Sequence, residues 1–492
     1  MRRSIGLFDF LKLDRRDTRT LNVQLFDAIR GAILDGTLPV GMPLPSSRNL
    51  AEDLQIARNT VTTAYEQLCV EGYLVSQQGS GTRVAELPKL QTIQAANYVV
   101  EEPSLRRIRL SRRGEGLCGS PRYLPRYEDR TFAAGLPALD LFPRALWARY
   151  LSRGARRTAI RRFDYSEVSG VPELKQSIAD HLSTARGLRP DPEQIIVLNS
   201  AQAALDLLTR IVTDAGDTAW IEEPGYLGAR GAFQGAGLSI RPIPVDDQGV
   251  EVPEALSIAP KLIYVTPSHH CPTGVMMSLE RRLQLLETSR IHGALIIEDD
   301  YDSEFRYDGH PISTLWSLDQ GRTVVYMGTF SKTMFPGLKL GYLVAPVELC
   351  ASLTKALHHT GQSANKIVQL ALAEFIAEGR FADHVRTMKK TYAARRSVFL
   401  DELQQCFGDL VSFTPTKTGM QQAVLLNSDI SDVALSEAAR SCGVTAPTLS
   451  RFFIGSQRKD GFFLGFASSN EDEIRAGMHK LSTVVKATGR ND

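Results

Sequence analysis

From about residue 131 onward, short runs made only of apolar residues alternate with segments long enough to form helices. Such runs stand at 195–198, 219–221, 262–265, 294–297 and 324–327. A strand that is apolar at every position is buried on both faces, and the arrangement that covers both faces of a sheet is the parallel α/β layer structure. The pattern therefore predicts a mostly parallel central sheet flanked by helices. In open sheets of this kind ligands lie beyond the carboxyl ends of the strands, so the residues just after each run are where chemistry is to be sought.

The first 85 residues have another texture. Leu21, Leu25, Ile29 and Ile33 recur every four positions on one helical face. Ser46 stands where it would cap a short second helix over 47–54. A third helix is expected from about Ala57 to Gly72, with Val61, Tyr65 and Leu68 inward and Arg58, Asn59, Thr62 and Thr63 outward. Residues 73–75, a Gln77-Gln78-Gly79-Ser80-Gly81 turn and residues 82–84 read as a hairpin. Three helices followed by a hairpin make the winged helix-turn-helix plan, mostly α with a β-wing. Residues 86–130 lose periodicity and gather Pro, Gly, Ser and Arg, as a linker does. The expected division is thus a head over 1–85, a linker over 86–130 and a large domain over 131–492, which suits a chain of 492 residues, longer than one hydrophobic core normally supports.

Composition excludes several classes. With 43% hydrophobic and 23% charged residues the chain is of the soluble globular type. Its six cysteines form no Cys-x-x-Cys or Cys/His grouping, so neither disulfides nor a metal site is expected. No apolar run approaches the roughly 18 residues of a membrane span, and the amino terminus lacks a secretory apolar core, which predicts a cytoplasmic protein with no membrane partner. The net charge of +2 decides nothing about nucleic acid. Over residues 1–85 there are 10 Lys+Arg against 9 Asp+Glu, so any affinity of the head for DNA must come from placement.

A recognition helix presents polar side chains at its amino-terminal end, where they reach base edges while flanking donors hold phosphates. Arg58, Asn59, Thr60 and Thr62 fit that role, Arg48 is positioned to grip the backbone, and Gly79 and Gly81 let the wing tip come close to a groove. The wording is specific: Leu44-Pro45-Ser46-Ser47-Arg48-Asn49-Leu50-Ala51, Arg58-Asn59-Thr60-Val61, Glu71-Gly72-Tyr73-Leu74 and Gly79-Ser80-Gly81-Thr82 resemble the signature of GntR-type regulators. That resemblance implies that Arg48, Arg58, Asn59, Thr60, Thr62 and Gly79 lie at the interface with a double-stranded DNA operator. A second basic feature, Arg149, Arg153 and Arg156 with Arg157, Arg161 and Arg162, has two readings, a contact to flanking DNA and a solvated face with carboxylate neighbours, of which the second is favoured.

In the large domain the residues after the strands match the needs of pyridoxal 5'-phosphate: a lysine amine for the aldehyde, an acid for the ring nitrogen and donors for the phosphate. Ser200-Ala201-Gln202 follows the first run and opens a helix, so backbone N–H groups and the helix dipole favour an anion there. Tyr226 is available to stack on an aromatic ligand, Asp299 to hold a ring nitrogen and Tyr301 a ring hydroxyl. Thr329-Phe330-Ser331-Lys332 follows the last run and supplies the Schiff-base lysine, Lys332, with the Thr329 and Ser331 hydroxyls and Lys339 for phosphate. Singly, each of these residues has an ordinary alternative as a cap, a loop pair or a solvated lysine; together they point to one site.

Pro272-Thr273-Gly274, Glu298-Asp299-Asp300-Tyr301 and Ser331-Lys332 with Pro336-Gly337-Leu338-Lys339-Leu340-Gly341-Tyr342 resemble fold type I aminotransferases over about 131–485. With the GntR-like head, the whole resembles the MocR/GabR subfamily of bacterial transcriptional regulators. The resemblance implies a winged helix-turn-helix fused to an α/β aminotransferase-like domain, and a domain-swapped, head-to-tail homodimer. Three departures stand out. Cys271 occupies the place of the Asn before Pro-Thr-Gly, Lys339 that of a phosphate-binding Arg, and Phe463 that of the Arg that clamps a substrate carboxylate, with Arg451 as a candidate substitute. The expectation is a regulator that senses an amine, an amino acid or pyridoxal phosphate itself through Lys332, with at most weak transaminase activity. The alternative is an active aminotransferase with an autoregulatory head.

Overall fold

The protein is described by a computed structural model covering residues 11, 13–77, 81–86, 109–119, 131–253, 258–309, 312–428, 430–455 and 457–488. It divides into two compact units, Met1–Arg107 and Ile108–Asp492.

In the first unit α1 (Leu21–Leu34), α2 (Ser47–Leu54) and α3 (Arg58–Val70) precede the strands β1 (Leu74–Gln77) and β2 (Gly81–Val84), which pair antiparallel. The sequence pattern explains the packing: Leu25, Ile29, Val61 and Leu68 are fully buried in one core with Leu50, Leu74 and Val84. Ser46 caps α2 by accepting from the Asn49 N–H at 3.2 Å. The turn into α3 passes through Gln55 in the left-handed conformation, φ +51°, which lets α2 end abruptly. The Tyr65 hydroxyl donates to the Pro45 carbonyl at 3.1 Å and ties α3 to the segment before α2.

The second unit begins with α4 (Arg112–Gly119), α5 (Arg144–Arg157) and α6 (Pro172–Arg186). There follow β3 (Ile195–Leu198), α7 (Ala201–Val212), β4 (Thr218–Glu223), α8 (Leu227–Ala236), β5 (Ser239–Asp246), β6 (Gly249–Val250), β7 (Leu262–Val265), α9 (Leu279–His292), β8 (Leu295–Asp299), α10 (Leu315–Asp319), β9 (Val324–Thr329) and β10 (Gly341–Val344). The eight strands lie in the order β3-β10-β9-β8-β7-β4-β5-β6. The pairs β4 with β5 and β7, β7 with β8 and β8 with β9 are parallel; β10 runs antiparallel to both its neighbours, and β6 antiparallel to β5.

Successive strand residues alternate between two cores. Ile195, Val197, Trp220, Ile263, Ile296 and Tyr326 face one side, and Ile196, Leu198, Ile221, Tyr264, Ile297 and Met327 the other. Continuous apolar runs were needed because both sides are covered. Beyond the sheet, α11 (Val347–Thr360), α12 (Lys366–Ala377) and the long α13 (Arg380–Phe407) lead to a smaller lobe: the antiparallel sheet β11 (Val411–Ser412), β12 (Gln421–Leu426) and β13 (Gly461–Gly465), with α14 (Asp432–Ser441) and α15 (Glu471–Thr488). Its core is separate, built on Phe399, Leu403, Met420, Phe462, Leu464 and Met478.

Several boundaries differ from the sequence reading. Strand β8 starts at Leu295 and ends on Asp299 itself, β9 extends to Thr329, and α7 opens at Ala201 directly after its cap Ser200. The apolar runs end before the strands do, because the ladder continues one to two polar residues past them. Within the segment expected as linker, Arg112–Gly119 is helical, and Leu117 packs where Gly235 of α8 leaves room for it. No described helix is long and apolar enough to cross a membrane.

Candidate functional site

At the carboxyl edge of the sheet lies a cavity of about 330 Å³. Ser200, Ala201 and Gln202 at the start of α7, Tyr226 before α8, Asp299 and Tyr301 at the end of β8, and Thr329, Ser331, Lys332 and Lys339 around the end of β9 all line it. They come together because β3, β4, β8 and β9 run in the same direction and release their chains at one edge. Gly341 makes the close approach possible: a Cβ there would lie 2.9 Å from the Ala201 nitrogen, so any side chain at this first position of β10 would push the α7 terminus away.

Lys332 is half-buried, and its Nζ donates to the Gly135 carbonyl at 2.8 Å. Burial lowers its pKa, while Asp302, Cys271 and Asp299 pull in the opposite direction. A depressed lysine offers more of the neutral amine that attacks a carbonyl. Asp299 accepts from the Tyr264 hydroxyl through Oδ2 at 2.6 Å, whereas its Oδ1 is buried with no hydrogen-bond partner among the described residues. Burial pushes this carboxyl up to about 7, against the lowering effect of the Tyr264 hydroxyl. A cationic N–H donor reaching Oδ1 would satisfy the atom and restore the ionised form, and a protonated pyridine nitrogen is such a donor.

The run Glu298-Asp299-Asp300-Tyr301 spreads over four different tasks. Glu298 accepts from the Leu315 and Trp316 N–H groups at the start of α10, both at 2.9 Å. Asp299 faces the cavity, and Asp300 forms a buried ion pair with Arg186 at 2.7 Å while accepting from the Tyr326 hydroxyl at 2.6 Å. Tyr301 lines the cavity, with its hydroxyl 3.1 Å from His269 Nδ1 and 3.3 Å from Gln421 Nε2. Asp302 then holds His269 Nδ1 at 2.8 Å and accepts from Gln421 at 3.1 Å. This buried network joins the sheet to β12 of the smaller lobe.

Ser200 caps α7 by accepting from the Ala203 N–H at 3.0 Å, and Gln202 reaches across to the Gly228 carbonyl at 2.9 Å. Thr329 accepts from the Ser331 N–H at 3.2 Å, which shapes the turn before Lys332. Lys339 adopts the left-handed conformation, φ +55°, at the end of the Pro336–Leu338 turn. The Tyr226 ring lies 6.1 Å from that of Tyr264 at an interplanar angle of 25°. Cys271 is buried on the cavity wall, and burial raises its thiol pKa. Phe463 packs on Phe452, with ring centroids 5.1 Å apart, in an apolar cluster that includes Leu227 and Leu449.

Gly135, Gln421, Arg440 and Thr448 also line the cavity and were not foreseen. They come from segments without an apolar run or a motif, and only the tertiary fold brings them in. Arg451, raised as a substitute clamp, stands on the same wall.

In the head, Arg48, Arg58 and Asn59 are exposed and Thr60 and Thr62 half-buried at the start of α3, while Gly79 lies outside the described residues. Arg58 Nε donates to the Ser47 hydroxyl at 3.4 Å, Arg48 sits 3.3 Å from Glu52, and the Thr62 hydroxyl donates to the Arg58 carbonyl at 3.1 Å. The arginine-rich segment has carboxylate neighbours: Arg153 of α5 pairs with Glu374 and Glu378 at 2.6 and 2.8 Å, and Arg162, in the turn that follows α5, with Glu173 at 2.7 Å.

Comparison with known proteins adds the following. Residues 21–84 match the model of bacterial regulatory proteins of the gntR family, and residues 139–463 that of aminotransferase class I and II. The chain is 40% identical, over 97% of its length and 96% of the relative's, to the probable rhizopine catabolism regulatory protein MocR of Rhizobium meliloti. It is 33% identical to the pyridoxine biosynthesis transcriptional regulator PdxR of Corynebacterium glutamicum, over 96% of this chain and 98% of that one. Among solved structures it is similar to LysN, an α-aminoadipate aminotransferase of Thermus thermophilus complexed with N-(5'-phosphopyridoxyl)-L-leucine, with 26% identity and a TM-score of 0.68 over 74% of this chain and 94% of that one.

Proposed function

The chain belongs to the MocR-type group of GntR-family regulators, in which a gntR head and an aminotransferase class I and II domain share one polypeptide, and from that premise we propose that it is a pyridoxal phosphate-binding transcriptional regulator whose cavity reads an amine, an amino acid or the cofactor itself. The observation that supports the cofactor is Asp299 Oδ1, buried without a hydrogen-bond partner among the described residues, on the wall that also bears Lys332. When bound, the cofactor supplies an electrophilic carbon for amines and a chromophore that reports what is attached to it. In this reading Lys332 holds that carbon. The α7 N–H groups, Ser200, Thr329, Ser331 and Lys339 hold the phosphate, Tyr226 covers the ring, Asp299 takes its nitrogen, and Tyr301 takes its hydroxyl.

Phe463 favours sensing over turnover. Against Phe463 and Phe452 a carboxylate would lose its hydration without gaining a guanidinium from that position, which leaves Arg451 of the same cavity as the clamp for an ordinary α-amino acid. The head is a double-stranded DNA reader in which Arg48, Arg58, Asn59, Thr60, Thr62 and Gly79 face the operator. A domain-swapped homodimer, acting in the cytoplasm, would present two heads. Occupation of the cavity then shifts operator affinity through the difference in ligand affinity between two dimer arrangements.

The test is operator binding, followed by fluorescence anisotropy, on the full chain without cofactor, with cofactor, and with cofactor plus a panel of amines. Regulation predicts a change in affinity between at least two of these states. Rapid multiple-turnover transamination with unaltered DNA binding would overturn it in favour of an enzyme.

A further inference from the structure

Away from the cavity, three side chains of metal-ligating type converge between the long helix α13 and the later helix α15. Glu402 and Cys406 stand one turn apart on α13, which puts them on one face, and His479 comes to them from α15. They meet because the two helices share a core, in which Leu403, Phe407, Met478 and Leu481 are buried with Cys406 itself. Cys406 Sγ lies 3.8 Å from Glu402 Oε2 and 3.7 Å from His479 Nδ1, and the three donor atoms all fall within 4.8 Å of one another.

Those distances are long for hydrogen bonds, and a thiol is a weak donor. They are closer to the spacing of ligands around one ion: atoms held 2.0–2.3 Å from a tetrahedral centre stand about 3.4–3.6 Å apart. Glu402 Oε1 is turned toward Arg475, whose Nε lies 3.7 Å away, which leaves Oε2 facing the thiol. Lys486 is a second cation near Cys406. Neither opposes a divalent ion, because a thiolate and a carboxylate together cancel its two charges. His479 is exposed, so a fourth position opens to water.

We propose that Glu402, Cys406 and His479 form a zinc site that pins α15 to α13, with water as the fourth ligand. The ion replaces the thiol proton, which leaves to solvent as a Zn–S bond forms, and no electrons are transferred. A thiolate and an imidazole select zinc over magnesium and calcium, which take oxygen ligands. The 73 residues between Cys406 and His479 hide the grouping from the sequence, because only helix packing brings the two together.

The test is calorimetry on the cofactor-loaded full chain, stripped of metal with a chelator and kept reduced. Zinc should bind at one equivalent per chain and raise the melting temperature of the large unit. His479→Ala and Glu402→Gln should each weaken binding by at least about 10-fold. Cobalt in place of zinc should add a thiolate-to-metal absorption band, read as a difference from the cobalt-free chain, that is absent in Cys406→Ser. His479 is exposed, so its replacement decides the matter even if the buried Cys406→Ser change prevents folding. No zinc binding, or binding unaltered in His479→Ala, would overturn the site. So would binding that is lost in Cys118→Ser/Cys442→Ser, because it would place the ion at the exposed thiols.

Discussion

Lys332 Nζ sits 2.8 Å from the carbonyl oxygen of Gly135, and a Cβ on Gly135 would lie 2.6 Å from that nitrogen. Gly135 has φ +71°, a conformation that side chains resist as well. Gly135→Ala is therefore expected to displace the lysine and twist the segment that holds it. Cofactor affinity should fall by at least about 10-fold, or about 1.4 kcal/mol, in an absorbance titration. Lys332→Ala should abolish the lysine-linked absorbance altogether, while leaving operator binding by cofactor-free protein unchanged.

Asp299 predicts a pH dependence of stability in the cofactor-free protein. Its folded pKa is raised from 3.8 to about 7, so between those values the folded chain keeps a proton that the unfolded chain has lost. The contribution is favourable at low pH and is lost as pH rises through about 7. Asp299→Asn removes the titration, so the melting temperature of the variant should gain on the natural chain between pH 4 and 7 and level off above. The full shift corresponds to at most about 4 kcal/mol. Bound cofactor should reverse the ranking, because a protonated ring nitrogen favours the carboxylate. A pH-independent difference between the two cofactor-free proteins would sink this account.

The sequence discloses one wall of the cavity but not its neighbours, and the reason is physical. Residues after strand ends are forced to one edge by parallel topology, so Ser200, Asp299 and Lys332 are readable from the apolar runs alone. Gln421 and Thr448 reach the cavity from a small antiparallel sheet whose register depends on pairing such as Gln421 with Gly465, and no local pattern specifies that. The pair Asp299-Asp300 marks the limit of motif reading. Pleat alternation sends the two carboxylates in different directions, one toward a ligand and one toward Arg186, yet by composition they are identical.

In the head, Arg58 is exposed at the start of α3 and, among the described residues, its side chain is held only by a 3.4 Å contact to Ser47. A loosely held fork at the amino-terminal end of a recognition helix is well placed for a bidentate contact to a guanine. Arg58→Ala should weaken specific operator binding by about 1–3 kcal/mol, roughly 5- to 150-fold, with the cofactor absorbance intact. Lysine at this position should recover charge-dependent, non-specific binding without recovering specificity, as read from the ratio of operator to random DNA. Unchanged operator affinity in Arg58→Ala would remove α3 as the reading helix.

Asp300 offers the opposite contrast to its neighbour. Its side chain and that of Arg186 are 2% and 5% exposed, the pair is 2.7 Å apart, and the Tyr326 hydroxyl and Ser268 complete the partners. Asp300→Asn leaves the Arg186 guanidinium buried without its counter-charge, and removing one member of such a pair costs about 3–5 kcal/mol. The unfolding transition of the large unit should fall accordingly, well below that of Asp299→Asn, in urea titrations of cofactor-free protein at pH 7. Arg186→Met/Asp300→Leu removes both charges together and should recover most of the loss, because two apolar groups of similar volume need no hydration. Cofactor affinity should follow the reverse order, lost in Asp299→Asn and nearly retained in Asp300→Asn wherever the chain is still folded. Equal stability of the two single variants would mean that the Arg186–Asp300 pair does not anchor the end of β8.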